Sequence, residues 1–173
     1  TALSCYDVRH RSTLHLMLEL MLLRHAKSDW DSGALDDHSR PLSKRGVRSA
    51  QRMGEVVRDL GIVPDLVVSS TAARARSTAE LARLAGGWDS RLVLEDALYG
   101  ASVMTTLAVA KDHGGHTTPL MPVGQEPTPS TTNRHATASG ATVKTATSAL
   151  PELHTASWDD IETSRGSLLT LLQ

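Results

Sequence analysis

The chain has no phenylalanine, and aromatic residues make up only 3% of its 173 positions. Its core must therefore be built from Leu, Val, Ala, Met and Ile, which suit layered packing of helices on a sheet. With 40% hydrophobic content, one domain of this size can bury such a core without disulfides or a structural metal. Cysteine is almost missing: Cys5 stands alone, which excludes an intrachain disulfide or a cysteine-rich metal site and fits a reducing, cytoplasmic setting. Long apolar runs are missing too. The stretch Leu14 to Leu23 is interrupted by His15 and Glu19 and falls well short of the ~20 residues a spanning helix needs. Nor is there an excess of one charge, since the formal net charge is -1. That balance argues against nucleic acid and membrane surfaces as partners and leaves a small molecule or another protein, with the oligomeric state open.

Residues 1–16 carry Asp7, Arg9, His10, Arg11 and His15 and lack the unbroken apolar segment of a secretory signal, so they are expected to be a disordered extension to a single domain over 17–173. Within that domain, the apolar run from Glu19 to Leu23 predicts a first strand buried on both faces. Ser43 is placed to cap a helix whose apolar positions Val47, Ala50, Met53, Val57 and Leu60 recur at helical spacing, and Gly61 closes it. Leu66-Val67-Val68 predicts a second strand, followed through Ser69-Ser70-Thr71 by a helix that ends at Gly86-Gly87. Arg91 to Leu94 predicts a third strand, and Ser102 to Lys111 a helix stopped at Gly114-Gly115. Leu120 to Gly124 predicts another strand, interrupted by Pro122, which withholds a ladder donor if the strand is central. Periodicity is poor over 112–149, and Ser167 to Leu172 predicts a closing strand. This alternation is that of an α/β fold with a mainly parallel central sheet.

In such sheets ligands gather at the carboxyl ends of the strands. The first strand delivers Arg24 and His25, the second Ser69, Ser70 and, one helical turn on, Arg74; the run ending at Gly124 delivers Gln125 and Glu126. Neutral imidazole is a nucleophile toward phosphorus, and guanidinium groups hold phosphoryl oxygens through planar forks of donors. Two arginines and a histidine brought together would form a phosphate cradle. Each piece also has a plainer reading: Ser69 and Ser70 as helix caps, Arg74 and Arg76 as the solvated face of their helix, and the Arg40 to Arg48 cluster as a solvated surface lending positive potential. His113-x-x-His116 lies beside Gly114-Gly115 in an expected loop and does not make a metal site.

The segment Leu22-Leu23-Arg24-His25-Ala26-Lys27-Ser28 resembles the arginine-histidine motif of the histidine phosphatase superfamily, whose members are phosphoglycerate-mutase-like. Asp37-His38-Ser39-Arg40-Pro41-Leu42-Ser43-Lys44-Arg45-Gly46 and Asp96-Ala97-Leu98-Tyr99-Gly100-Ala101-Ser102 are similar to the short phosphohistidine phosphatase branch, and Ser70 to Glu80 is similar to the family's second phosphate-binding element, with Arg74 at its arginine. The similarity runs from about Glu19 to the end, close as far as Ser102 and patchy beyond it. It implies a three-layer α/β/α architecture of phosphoglycerate-mutase type and a hydrolase that needs no metal or cofactor.

The resemblance further implies that His25 attacks phosphorus while Arg24 and Arg74 hold the equatorial oxygens. Ser28, Asp37, Arg40 and Gln125 complete the substrate-binding set, and Asp37 and Glu95 are the candidate leaving-group acids. The substrate is then a phosphorylated protein, with phosphohistidine as the transferred group in a signalling or phosphotransfer role, or a small phosphomonoester. Three positions depart from the pattern: Pro122 within a strand, the polar Asn133-Arg134-His135 where a partly apolar helix is expected, and Gln125 where the family carries its second histidine. Glutamine donates a neutral hydrogen bond but cannot become cationic, so turnover is expected to fall about 10- to 1,000-fold against a histidine-bearing relative. The alternative is a weakly catalytic module that binds phosphate or a phosphoprotein. His116 and His135 are the residues that could substitute for the missing imidazole.

Overall fold

Alternate side chains along the central strands face two separate cores. Leu20 and Leu22, Leu66 and Val68, and Leu120 point to one side, where Leu107, Ala110, Ala136 and Trp158 cover them. Met21 and Leu23, Val67, and Met121 and Val123 point to the other, beneath Met53, Val57, Ala75, Ala79 and Ala82. A period of two with both faces buried is the signature of a sheet between helical layers. The computed structural model describes residues 17–115, 117–125, 128–137, 144, 146, 148–164 and 166–172. The extension expected over 1–16, with Cys5, and also His116, Glu126 and Thr145 lie outside the described residues.

The elements run β1 (Leu18–Glu19), β2 (Leu22–Arg24), α1 (Lys44–Asp59), β3 (Leu66–Ser69), α2 (Ala73–Gly86), β4 (Arg91–Leu94), α3 (Val103–Gly114), β5 (Leu120–Gly124), α4 (Thr128–Thr137), β6 (Ser148–Leu153) and β7 (Gly166–Leu172). The sheet order is β1-β6-β2-β5-β3-β4, with β7 paired to β6. β2, β5, β3 and β4 are parallel, and β6 runs antiparallel to β1, β2 and β7. The expected first strand is thus divided: Leu18–Glu19 and Leu22–Arg24 both pair with β6, and Leu20 makes an isolated bridge to Leu120. The architecture is three-layer α/β/α, with α1 and α2 on one face and α3 and α4 on the other.

Two of the departures from the family pattern take regular structure. Pro122 lies in a central strand, opposite Val68, between β2 and β3. The carbonyls of Leu120 and Gly124 accept from Met21 and His25 on the β2 side. Pro122, two residues from each, faces the same neighbour, so the ladder loses a single donor there. The polar run around Asn133 is helical, and α4 buries Ser130, Thr132 and Asn133 together with Pro129 and Ala136. No helix among the described residues is long and apolar enough to cross a membrane.

Candidate active site

Strand ends and one long loop assemble the site. At the end of β2 the His25 amide donates to the Gly124 carbonyl at 2.9 Å, which ties the histidine to the end of β5. The next residue is fixed from α2: the Ala26 amide donates to Thr78 Oγ1 at 3.0 Å, and that hydroxyl donates to the Arg74 carbonyl at 2.7 Å. Thr78 is fully buried and joins the histidine loop to the first turn of α2. The loop after Ser28 returns through a bridge between Ser28 and Leu42, and Ser43 Oγ donates to the Lys27 carbonyl while accepting from Gly46 as the cap of α1. Gly46 is required at this spot, because a Cβ there would lie 2.1 Å from the Lys27 carbonyl oxygen.

His25 is 9% exposed, and its Nδ1 lies 2.7 Å from the Ala26 carbonyl oxygen. A carbonyl only accepts, so Nδ1 carries the proton and Nε2 presents a lone pair. Arg74 Nε donates to that lone pair at 3.3 Å. Burial pushes the imidazole pKa down from 6.5 to about 4; the bond to Ala26 opposes this, and the charges of Arg74, Arg24 and Arg40 add to the depression. At neutral pH the ring is therefore uncharged, with Nε2 as its unprotonated nitrogen.

Arg74, 3% exposed, is a hub. Its Nη2 donates to Asp37 Oδ2 at 2.7 Å and to Gln125 Oε1, and its Nη1 donates to the Asp37 carbonyl. Arg40 is buried as well, donating from Nη1 to Ser28 Oγ at 3.0 Å and from Nη2 to Asp37 Oδ1. Tyr99 Oη donates to Asp37 Oδ2 at 3.1 Å. The Arg40 guanidinium lies 3.4 Å beneath the Trp30 ring, and the Tyr99 ring meets the His38 ring edge-on at 4.9 Å.

Of the residues singled out from sequence, the structure brings together His25, Arg74, Asp37, Arg40, Ser28 and Gln125, and the charge of Arg24 reaches His25. Glu95 stands apart: at the end of β4 its Oε1 accepts from the Ala97 amide at 3.2 Å and its Oε2 pairs with His113 at 3.3 Å. Asp37 is present but is a poor proton donor. Burial raises its pKa, yet the bonds from Arg74, Arg40 and Tyr99 outweigh this and hold it below the usual carboxylate value. Ser69 and Ser70 do not cap α2, whose N-cap is Ala72; the Ala73 amide is met by the His38 carbonyl at 2.9 Å. Arg76 remains a surface residue paired with Glu80. His135 Nε2 meets the Glu162 carbonyl at 3.2 Å.

Sequence reasoning missed Thr78, Tyr99, His38 and Trp30 as members of the site. Thr78 was recoverable as a polar residue on the buried stripe of α2, and Trp30 as an aromatic in an otherwise polar loop. Tyr99 and His38 lie in segments that carry the resemblance, but their contacts join loops distant in sequence and so were not readable.

A mixed sheet with a parallel central part between two helical layers, and a neutral histidine among arginines at the carboxyl ends of its parallel strands, fits the phosphoglycerate-mutase-like class. The model of the histidine phosphatase superfamily (branch 1) matches residues 20–103. An uncharacterized Mycobacterium tuberculosis protein is 41% identical over 108 residues, 62% of this chain and 65% of its own length. An uncharacterized chloroplastic protein of Arabidopsis thaliana is 49% identical over 59 residues, 34% of this chain and 27% of its own length. The chain thus spans about a quarter of one of these relatives and just under two thirds of the other. A candidate phosphohistidine phosphatase SixA from Nakamurella multipartitia superposes with a TM-score of 0.80 at 28% identity, covering 91% of this chain and 96% of that one. Residues 20–103 thus match the histidine phosphatase superfamily, and over nine-tenths of its length the chain is similar in fold to the SixA neighbour.

Proposed function

We propose that the chain is a phosphatase that removes the phosphoryl group from phosphohistidine in a protein, or from a small phosphomonoester, through a phosphohistidine formed on its own His25. The observation that carries this reading is the His25 ring itself, uncharged and with Nε2 unprotonated, accepting from Arg74 Nε. Nε2 attacks phosphorus in line; the N–P bond forms as the bond to the leaving group breaks, and the electron pair departs with that group. Arg24, Arg40 and Arg74 stabilise the phosphoryl oxygens and supply the positive charge that metal ions supply at other phosphoryl-transfer sites. Water then attacks phosphorus, the N–P electrons return to Nε2, and inorganic phosphate leaves. Gln125 turns its carbonyl oxygen to Arg74, which leaves its amide hydrogens as donors for the transferring group.

An ionised Asp37 cannot protonate an alkoxide, which favours leaving groups such as imidazole that depart easily. A second reading, a phosphate- or phosphoprotein-binding module with little turnover, is favoured by one observation, the glutamine at position 125. Turnover of a phosphohistidine peptide and an aryl phosphate by wild type, Gln125→His and His25→Ala separates the two. Turnover lost in His25→Ala and raised about 10- to 1,000-fold in Gln125→His supports the enzyme. Phosphate binding without release in both wild type and Gln125→His supports the module.

A further inference from the structure

Apart from Tyr6, which lies outside the described residues, the aromatic side chains divide sharply by place. Trp88 and Trp158 are buried, at 6% and 3% exposure, and their indole nitrogens are satisfied by the Gly54 and Thr117 carbonyls. Trp30 and Tyr99 are exposed, at 76% and 40%, and both attach to the phosphate cradle. Trp30 lies over Arg40, and Tyr99 holds Asp37, the carboxylate that Arg40 and Arg74 share. His38 adds a third ring against Tyr99 and is itself anchored through Nε2 to Thr71 Oγ1 at 3.0 Å.

An indole left in water forgoes a large burial gain, and here the core had room for the other described tryptophans. The ring is nevertheless held in place, because one of its faces covers a guanidinium that is fixed by Ser28 and Asp37. Its remaining surface is open to solvent, one guanidinium layer from the anion site. Leu35, fully exposed in the same loop, adds apolar surface nearby in the chain.

We propose that Trp30 is a specificity-determining residue: its open surface, with the Tyr99 and His38 rings, takes the planar ring of a substrate whose phosphoryl group occupies the cradle, and so selects ring-bearing phosphates over aliphatic ones. This rests on the reading of the cradle as a phosphoryl site. A phosphoryl group held by Arg74 and Arg40 projects its leaving group toward solvent, where the exposed rings stand. Stacking gives a flat π-surface an advantage that an aliphatic group of equal area lacks. Because the cradle already fixes the phosphoryl end, the platform needs to contribute only modestly to discriminate.

Calorimetric titration of the full chain with phenylphosphonate, cyclohexylphosphonate and methylphosphonate tests this without requiring turnover. Wild type is expected to bind the phenyl compound about 3- to 10-fold more tightly than the cyclohexyl one. Trp30→Ala should bring that ratio to about one, and Trp30→Phe should restore part of it. An equal loss for all three ligands in Trp30→Ala, with the ratio intact, would show that the indole only braces Arg40 and would overturn the proposal. So would binding of all three by wild type with no ring preference. Failure of wild type to bind any phosphonate would instead overturn the cradle itself, and the platform with it.

Discussion

Asp37 lies between Arg40 and Arg74, where the proposed function puts a phosphoryl oxygen, with Tyr99 completing its hydrogen bonds. Its side chain is 49% exposed, so it is the part of the cluster that an incoming anion can displace. Asp37→Asn removes one negative charge and keeps the shape, and should tighten inorganic phosphate binding roughly 3- to 30-fold, less at high salt. Isothermal titration at two ionic strengths measures this; weaker binding would mean that the carboxylate is needed to hold the arginines in place. At this scale the sequence was most informative where chemistry is contiguous. Arg24-His25 and Arg74 were legible from the residues at the strand ends, and Asp37, Arg40 and Ser28 from the resemblance of the intervening loop. Glu95 was misplaced among the candidates because proximity to a strand end does not tell which way a side chain turns, and it turns to His113.

Among the elements, α1 shows most clearly how local signals and packing divide the work. Ser43 as its cap and Gly61 beyond its end were readable from capping chemistry, and both hold, with Gly61 at φ +69°. The demand at Gly46 was not readable, since it comes from the Lys27 carbonyl across a loop. Helix propensity favours alanine there by about 1 kcal/mol, but the clash sets the sign. Gly46→Ala should destabilise the fold by about 1–3 kcal/mol in urea unfolding and weaken phosphate binding, because the carbonyl it displaces belongs to the His25 loop. Unchanged stability and affinity would show that the loop yields freely. Element α4 was illegible for the opposite reason: its buried face is made of Ser130, Thr132 and Asn133, so no apolar stripe announced it. Strand β5 was legible in spite of Pro122, since a proline in a central parallel strand removes only the one donor its own register demands.

Across the whole molecule, the alternation of strand and helix and the resemblance together made the three-layer architecture legible; Thr145 to Leu150 loosely matched a closing strand, but the antiparallel pairing of β6 is settled only by tertiary packing. The buried site also links folding to pH. His25 titrates at about 4 in the folded chain against 6.5 when unfolded, so its neutral form favours folding fully above pH 6.5 and loses that advantage as pH falls toward 4. The loss amounts to roughly 3 kcal/mol. Asp37 adds to it at lower pH, its depressed value making a contribution that is complete above the ordinary carboxylate value and vanishes as the group is protonated. Urea unfolding from pH 7 to pH 4 should show this decline, and His25→Phe should flatten it between pH 6.5 and 4; an equally steep decline in the variant would place the titrating group elsewhere.

The central claim is that the uncharged Nε2 of His25 takes the phosphoryl group. Mixing the chain with a phosphoramidate donor, quenching in alkali, where an N–P bond survives, and mapping the adduct by mass spectrometry tests it directly. The account predicts phosphate on the peptide bearing His25, with the Nε2 isomer identified by ³¹P NMR and no label in His25→Ala. A chain that releases phosphate while its His25 peptide never carries label, or one labelled equally in His25→Ala, would contradict it.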